Sequence, residues 1–239
     1  MNLEDVNQKT MSVLQRELYA LLREKGAVLV GTADLSPVLD SNMQTGISVA
    51  VPVPAHVVED LKAAPTEEYY QLYHSLNGKL NDIVTAGAEF LKEKGFKAFA
   101  NTTGAVKMDE QWRTPLPHKT VAVRAGLGWI GKNSLLVTPE YGSAVRLSSL
   151  ITDAPFEAAQ PILESRCKGC RRCVDMCPGH ALTGALWKAG MAREELFDRV
   201  RCRETQIARM KKATGRETDL CGLCFAVCPY TQGYLNQEK

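Results

Sequence analysis

All eight cysteines of this 239-residue chain lie between Cys167 and Cys228, and the first 166 residues contain none. Disulfides would call for an exported chain. The N-terminus is instead polar, with Glu4 and Asp5 where an export signal carries positive charge and then an apolar core. The expectation is a cytoplasmic protein that uses its crowded thiols as metal ligands. No apolar run approaches the roughly 20 residues needed to span a bilayer, so no membrane partner is expected.

The spacing is more specific than the count. The first run is Cys167-x2-Cys170-x2-Cys173-x3-Cys177-Pro178; the second is Cys202, then Cys221-x2-Cys224-x3-Cys228-Pro229. This is the bacterial ferredoxin arrangement, in which the Cys before Pro ligates the other cluster. On that logic one [4Fe–4S] cluster takes Cys167, Cys170, Cys173 and Cys228. The other takes Cys177, Cys202, Cys221 and Cys224. Two zinc sites would also consume eight thiolates, but they give the doubled x2–x3–Cys–Pro ending no reason to recur.

The rest of the chain reads as an α/β core. Apolar residues recur at helical spacing from Asn2 to Lys25 and from Pro65 to about Gly95. Short β-branched runs at Ala27–Ala33, Ile47–Val53 and Lys97–Ala100 read as strands, and so does Ser134–Thr138. Lys119–Ala125 fits strand or helix. Asp153, Pro155 and Pro161 break the periodicity, dividing the chain into a core over 1–155 and a ferredoxin-like two-cluster domain over 156–239. That second domain carries a helical insert over Arg193–Lys212.

Gly126, Gly128 and Gly131 satisfy G-x-G-x-x-G and nearly match a phosphate loop. Asn133, however, stands where the magnesium-holding hydroxyl belongs, and a strand follows where a helix should. The segment is either a cofactor cradle, with Gly126, Gly128, Trp129, Gly131, Lys132 and Asn133 as binding residues, or a tight structural turn beneath the cluster domain. Cations crowd two stretches: Arg166, Lys168, Arg171 and Arg172, and then seven between Arg199 and Arg216 against Glu204 alone. They either offset cluster charge or meet an acidic redox partner or nucleic acid.

The stretch His118–Asp153, HKTVAVRAGLGWIGKNSLLVTPEYGSAVRLSSLITD, followed by the doubled cysteine motif, resembles the epoxyqueuosine reductase family and more distantly the reductive dehalogenases. The resemblance implies a nitroreductase-like α/β core with a ferredoxin-like double-cluster domain, and a base-off cobalamin beside one cluster. It also implies a low-potential electron donor protein as partner, and an oxidoreductase relaying electrons to that cofactor or to a small substrate. Trp112 stands where the family places an acidic proton donor, which leaves Asp109 and His118 as the catalytic candidates. Lys119 stands where an Arg is usual, and the sequence ends at Lys239, short of the helical repeats associated with tRNA. The expectation therefore sets tRNA epoxyqueuosine reduction behind a second alternative. That alternative is a non-catalytic electron carrier, or a reductive activator of a separate corrinoid or metalloprotein.

Overall fold

A computed structural model describes residues 12–237. The early part of the helix expected from Asn2 lies outside the described residues. The helix itself, α1 (Val13–Glu24), is capped by Ser12, whose Oγ accepts from the Gln15 N–H at 3.2 Å. It is followed by β1 (Leu29–Asp34), β2 (Thr45–Pro52), α2 (Ala55–Asp60), the 27-residue α3 (Glu67–Glu93) and β3 (Ala98–Ala100). Then come α4 (His118–Arg124), β4 (Trp129–Ile130), β5 (Leu136–Val137) and β6 (Val145–Thr152). The cysteine segment contains α5 (Arg172–Asp175), α6 (Arg199–Thr214), α7 (Leu223–Ala226) and α8 (Pro229–Gln237).

The chain forms two compact units that exchange segments. One runs to Val51 and takes in Leu76–Leu127 and Arg146–Ile162. The other comprises Pro52–Ser75, Gly128–Val145 and the chain from Leu163. A single cut at 155/156 thus becomes an interleaved division, because the β4–β5 hairpin and α2 pack with the cysteine segment.

In the first unit the strands form a sheet of order β1-β2-β6-β3, with β1–β2 and β3–β6 antiparallel. From Gly46 to Val51, β2 is buried at every position, which demands cover on both faces. Ile47, Val49 and Val51 join Leu18 and Leu22 of α1 and Leu80, Ile83, Val84 and Leu91 of α3. The alternate face receives α4. A Cβ at Gly46 would lie 2.9 Å from Val121, and one at Gly31 would lie 2.7 Å from the Ala125 carbonyl. The ambiguous segment 119–125 is therefore helix, lying close against glycine-bearing strands.

In the second unit most elements are short. α2 and α8 meet where the Tyr234 hydroxyl donates to the Val53 carbonyl at 3.2 Å. β4 pairs antiparallel with β5, so the strand expected over Ser134–Thr138 contracts to two residues. The helical insert is α6, which starts at Arg199 behind a 3-10 turn at Arg193–Glu195. Asp198 caps it through the Arg201 N–H at 3.0 Å, and Gly215 at φ 80° closes it.

Candidate iron–sulfur centre

Local backbone chemistry sets each thiol. The Cys170 N–H donates to the Cys167 carbonyl at 3.0 Å, closing a tight turn with Lys168 at φ 47°. α5 then carries Cys173. Its C-terminal turn delivers Cys177, which accepts on Sγ from the Ala181 N–H at 3.4 Å. The second run repeats the device: Gly222 at φ 78° follows Cys221, α7 carries Cys224, and the Cys228 N–H bonds the Phe225 carbonyl at 3.2 Å. Pro229 occupies the first position of α8, where a missing N–H costs nothing. Cys202 comes from the first turn of α6, and Gln206 Nε2 donates to its Sγ at 3.3 Å.

All eight thiols are free. Burial and neighbouring thiols raise four of them. Burial, and then the neighbouring Cys167, Cys228 and Cys170, push the Cys173 thiol up to about 12. Burial raises Cys228 too, with Cys167 and Cys170 adding to it while backbone N–H groups of Thr231 and Tyr230 act against it. Burial, with Cys177 and Cys221, pushes Cys202 up to about 11. Cys224 rises well above the ordinary thiol range through burial and then Cys221, Cys202, Cys173 and Cys177. Among the described residues no group of three or more His, Cys, Asp or Glu side chains meets the geometry of a single metal ion. The donor chemistry suits thiolate-held clusters: free sulfurs in fours, partly buried, with N–H groups aimed at several of them.

The glycine segment turns toward the protein itself. Trp129 is 1% exposed and packs edge-on against Tyr230 at 4.9 Å between ring centres. Asn133 Nδ2 donates to Ser143 Oγ at 3.0 Å, and its Oδ1 accepts from the Leu135 N–H at 3.2 Å. Lys132 Nζ donates to the Lys168 and Cys170 carbonyls, each at 2.9 Å. The Gly126 and Gly131 N–H groups already bond the Val123 and Leu135 carbonyls. A Cβ at Gly128 would stand 2.2 Å from the Val137 carbonyl, so this glycine serves close packing of the hairpin. The Lys132 and Asn133 side chains and the Gly126 and Gly131 N–H groups are thus committed within the chain, whereas the buried Trp129 indole N–H has no hydrogen-bond partner among the described residues.

The two catalytic candidates stand apart in role. Asp109 Oδ1 accepts from the Gln111 and Arg113 N–H groups, each at 2.8 Å, and so shapes a loop in which Trp112 sits at φ 54°. His118 Nδ1 lies 2.9 Å from Ser149 Oγ. Burial, and then the Arg146 charge, push His118 down to about 4, so its ring is neutral at pH 7 and is a poor proton donor there.

The basic strip of α6 is largely compensated. Arg201 pairs with Asp198, Arg203 with Asp219, Lys211 with Glu217 and Arg216 with Glu67, while Arg209 donates to the Ala63 carbonyl at 3.2 Å. The acidic partners lie outside the window of cations that makes the strip conspicuous in sequence. Gln206, four residues after Cys202, was legible from helical spacing. Ser143 and the Lys132 contacts carried no such signal.

Residues 166–231 match the family of 4Fe-4S double cluster binding domains. This is an iron–sulfur protein. An epoxyqueuosine reductase of Bacillus cereus is 36% identical over 120 residues, which is 49% of this chain and 30% of that protein. One of Lactococcus garvieae is 32% identical over 174 residues, 70% of this chain and 43% of its own length. The chain thus spans less than half of the curated relatives it matches, and it is related to the epoxyqueuosine reductases over that span. In fold it resembles a solved epoxyqueuosine reductase, with TM-score 0.61 and 22% identity over 92% of this chain and 66% of that one. It also resembles a catabolic reductive dehalogenase solved with 3-bromo-4-hydroxybenzoic acid, with TM-score 0.69 and 19% identity over 90% of this chain and 31% of that one. Among the described residues no helix is long and apolar enough to cross a membrane.

Proposed function

We propose that the protein is an iron–sulfur oxidoreductase that relays electrons through two [4Fe–4S] clusters to a bound cofactor or small substrate. The observation that carries this reading is that α5, which bears Cys173 of the first set, and α7, which bears Cys224 of the second, pack against each other. Two four-thiol sets that meet in this way suit transfer from one centre to the next. The first cluster takes Cys167, Cys170, Cys173 and Cys228; the second takes Cys177, Cys202, Cys221 and Cys224. When bound, the clusters supply one-electron transfer. The protein's part is to bury Cys228 and to aim N–H donors at the Cys177 and Cys202 sulfurs. A groove of about 460 Å³ lined by His180, Leu182, Phe197 and Arg199 runs beside Ala181, whose N–H reaches Cys177. It offers a small electron donor protein an approach to the second set.

The finer reading gives the first unit a nitroreductase-like core and base-off cobalamin. The dehalogenase neighbours support it, since one such structure is described as B12-dependent. A non-catalytic electron carrier, or a reductive activator of another metalloprotein, is the second reading, favoured by the commitment of Lys132 and Asn133 to protein partners. Reduction of epoxyqueuosine in tRNA stands third. A related reductase has been crystallised with a modified tRNA stem loop, but in this chain most cations of the basic strip are already paired.

Anaerobic reconstitution with iron and sulfide, incubation with cobalamin and desalting test the choice. Two reducible clusters with a retained corrinoid support the enzyme. Two clusters without a corrinoid support the carrier. A chain that retains no reducible cluster overturns both.

A further inference from the structure

Lys132 lies in the one stretch where sequence suggests a phosphate or cofactor, yet its ammonium faces the cysteine segment. The geometry points to Lys132 as a positioning residue and counter-charge for the first cluster, an inference that rests on the ligand grouping proposed above. The side chain is 6% exposed. Its Nζ donates at 2.9 Å to the carbonyl of Lys168 and at 2.9 Å to that of Cys170. Those two residues belong to the Cys167-x2-Cys170 turn, and Lys168 is the residue held at φ 47°. The ammonium therefore clamps the part of the loop whose backbone is least favourable.

Its charge calls for a second account. A buried cation is costly unless paired, and both acceptors of Lys132 are carbonyl dipoles without net charge. The thiolates of Cys167, Cys170, Cys173 and Cys228, gathered around that same turn, supply the missing negative charge. Reduction adds one more negative charge to the centre they hold. A fixed cation beneath the loop favours that state and raises the reduction potential. In the second loop it is the Leu61 side chain that backs Gly222.

The test uses the full chain, reconstituted anaerobically, with Lys132→Met, Lys132→Gln and, as control, Lys168→Met on the exposed side of the same loop. The readouts are iron retention under chelator and the midpoint potential of each cluster followed by electron paramagnetic resonance. The first cluster is identified as the signal missing from Cys170→Ser. Lys132→Met is expected to speed loss of the first cluster roughly 10-fold or more, the scale of second-sphere effects, and to lower its potential. Lys132→Gln retains donors for the two carbonyls, so it keeps the cluster better while still lowering the potential. It remains readable if the Met variant fails to fold. Lys168→Met, which removes an exposed and screened charge but leaves the clamp, should keep iron retention near wild type and shift the potential less than either Lys132 variant. Wild-type potentials and loss rates in both Lys132 variants overturn the inference, as does a shift confined to the second cluster. A wild-type chain that holds only one cluster strikes at the proposed function instead.

Discussion

The two cysteine loops perform the same geometric task on different supports. Each sets a four-residue helix under the middle cysteine of its x2–x3–Cys–Pro ending, Cys173 on α5 in one and Cys224 on α7 in the other. The left-handed residue differs in place: Lys168 follows Cys167 in the first loop, whereas in the second Gly222 itself caps α7. Glycine adopts that backbone freely, whereas lysine pays roughly 1–2 kcal/mol for it. The first loop offsets this with the Lys132 ammonium on its carbonyls, and the second with the buried Leu61 side chain against Gly222. Identical spacing can thus be held by charge on one side and by packing on the other.

The largest effects should come from the sulfurs themselves. Cys170→Ser is expected to remove the first cluster and leave the second, halving the iron found on analysis. Cys224→Ser should remove the second and also disturb the signal of the first, since α7, which carries it, packs on α5 beneath Cys173. Equal, independent losses would break the asymmetry. Next come the backbone positions. Gly222→Ala meets Leu61 at 2.6 Å and forces a side chain into φ 78°. A loss of about 1–3 kcal/mol is expected in chemical denaturation. Lys168→Gly relieves strain while adding freedom to the unfolded chain, so its change should stay below about 1 kcal/mol.

A smaller effect lies away from the thiols and separates the sheet-bearing unit from the cysteine unit. His118 has its folded value near 4 against an ordinary 6.5. Between those values the unfolded chain binds more protons, so this contribution is complete above pH 6.5 and is lost as the pH falls toward 4. His118→Gln should flatten that part of the stability profile and leave cluster retention unchanged. The smallest effect is expected at the exposed Arg216–Glu67 pair. Glu67→Gln should leave the melting temperature within error, and a clear drop would show that the packing side of the comparison also leans on charge.

What could be read in advance follows from range along the chain. The Cys-x2-Cys runs and the Cys-Pro endings act within a few residues, so spacing alone exposes them. The burial of β2 was also legible, as a short β-branched apolar run interrupted only by Ser48. Other features depend on residues far apart. Lys132 meets carbonyls 36 and 38 residues away, and Arg216 reaches Glu67 across 149. The glycine segment looked like a ligand cradle because glycines that admit a phosphate and glycines that admit a neighbouring strand have the same sequence. Trp112, expected only as a missing acid, occupies a left-handed position inside the turn shaped by Asp109.

By itself the sequence determined that this chain carries two sets of iron-binding thiols and an α/β core, because ligand spacing and apolar periodicity are local properties of a polymer. The tertiary structure decided which groups support those thiols. It turned Lys132 and Asn133 inward and neutralised much of the basic strip of α6. A buried charge or amide must find its partner wherever folding brings one, and that partner leaves no mark in the neighbouring sequence.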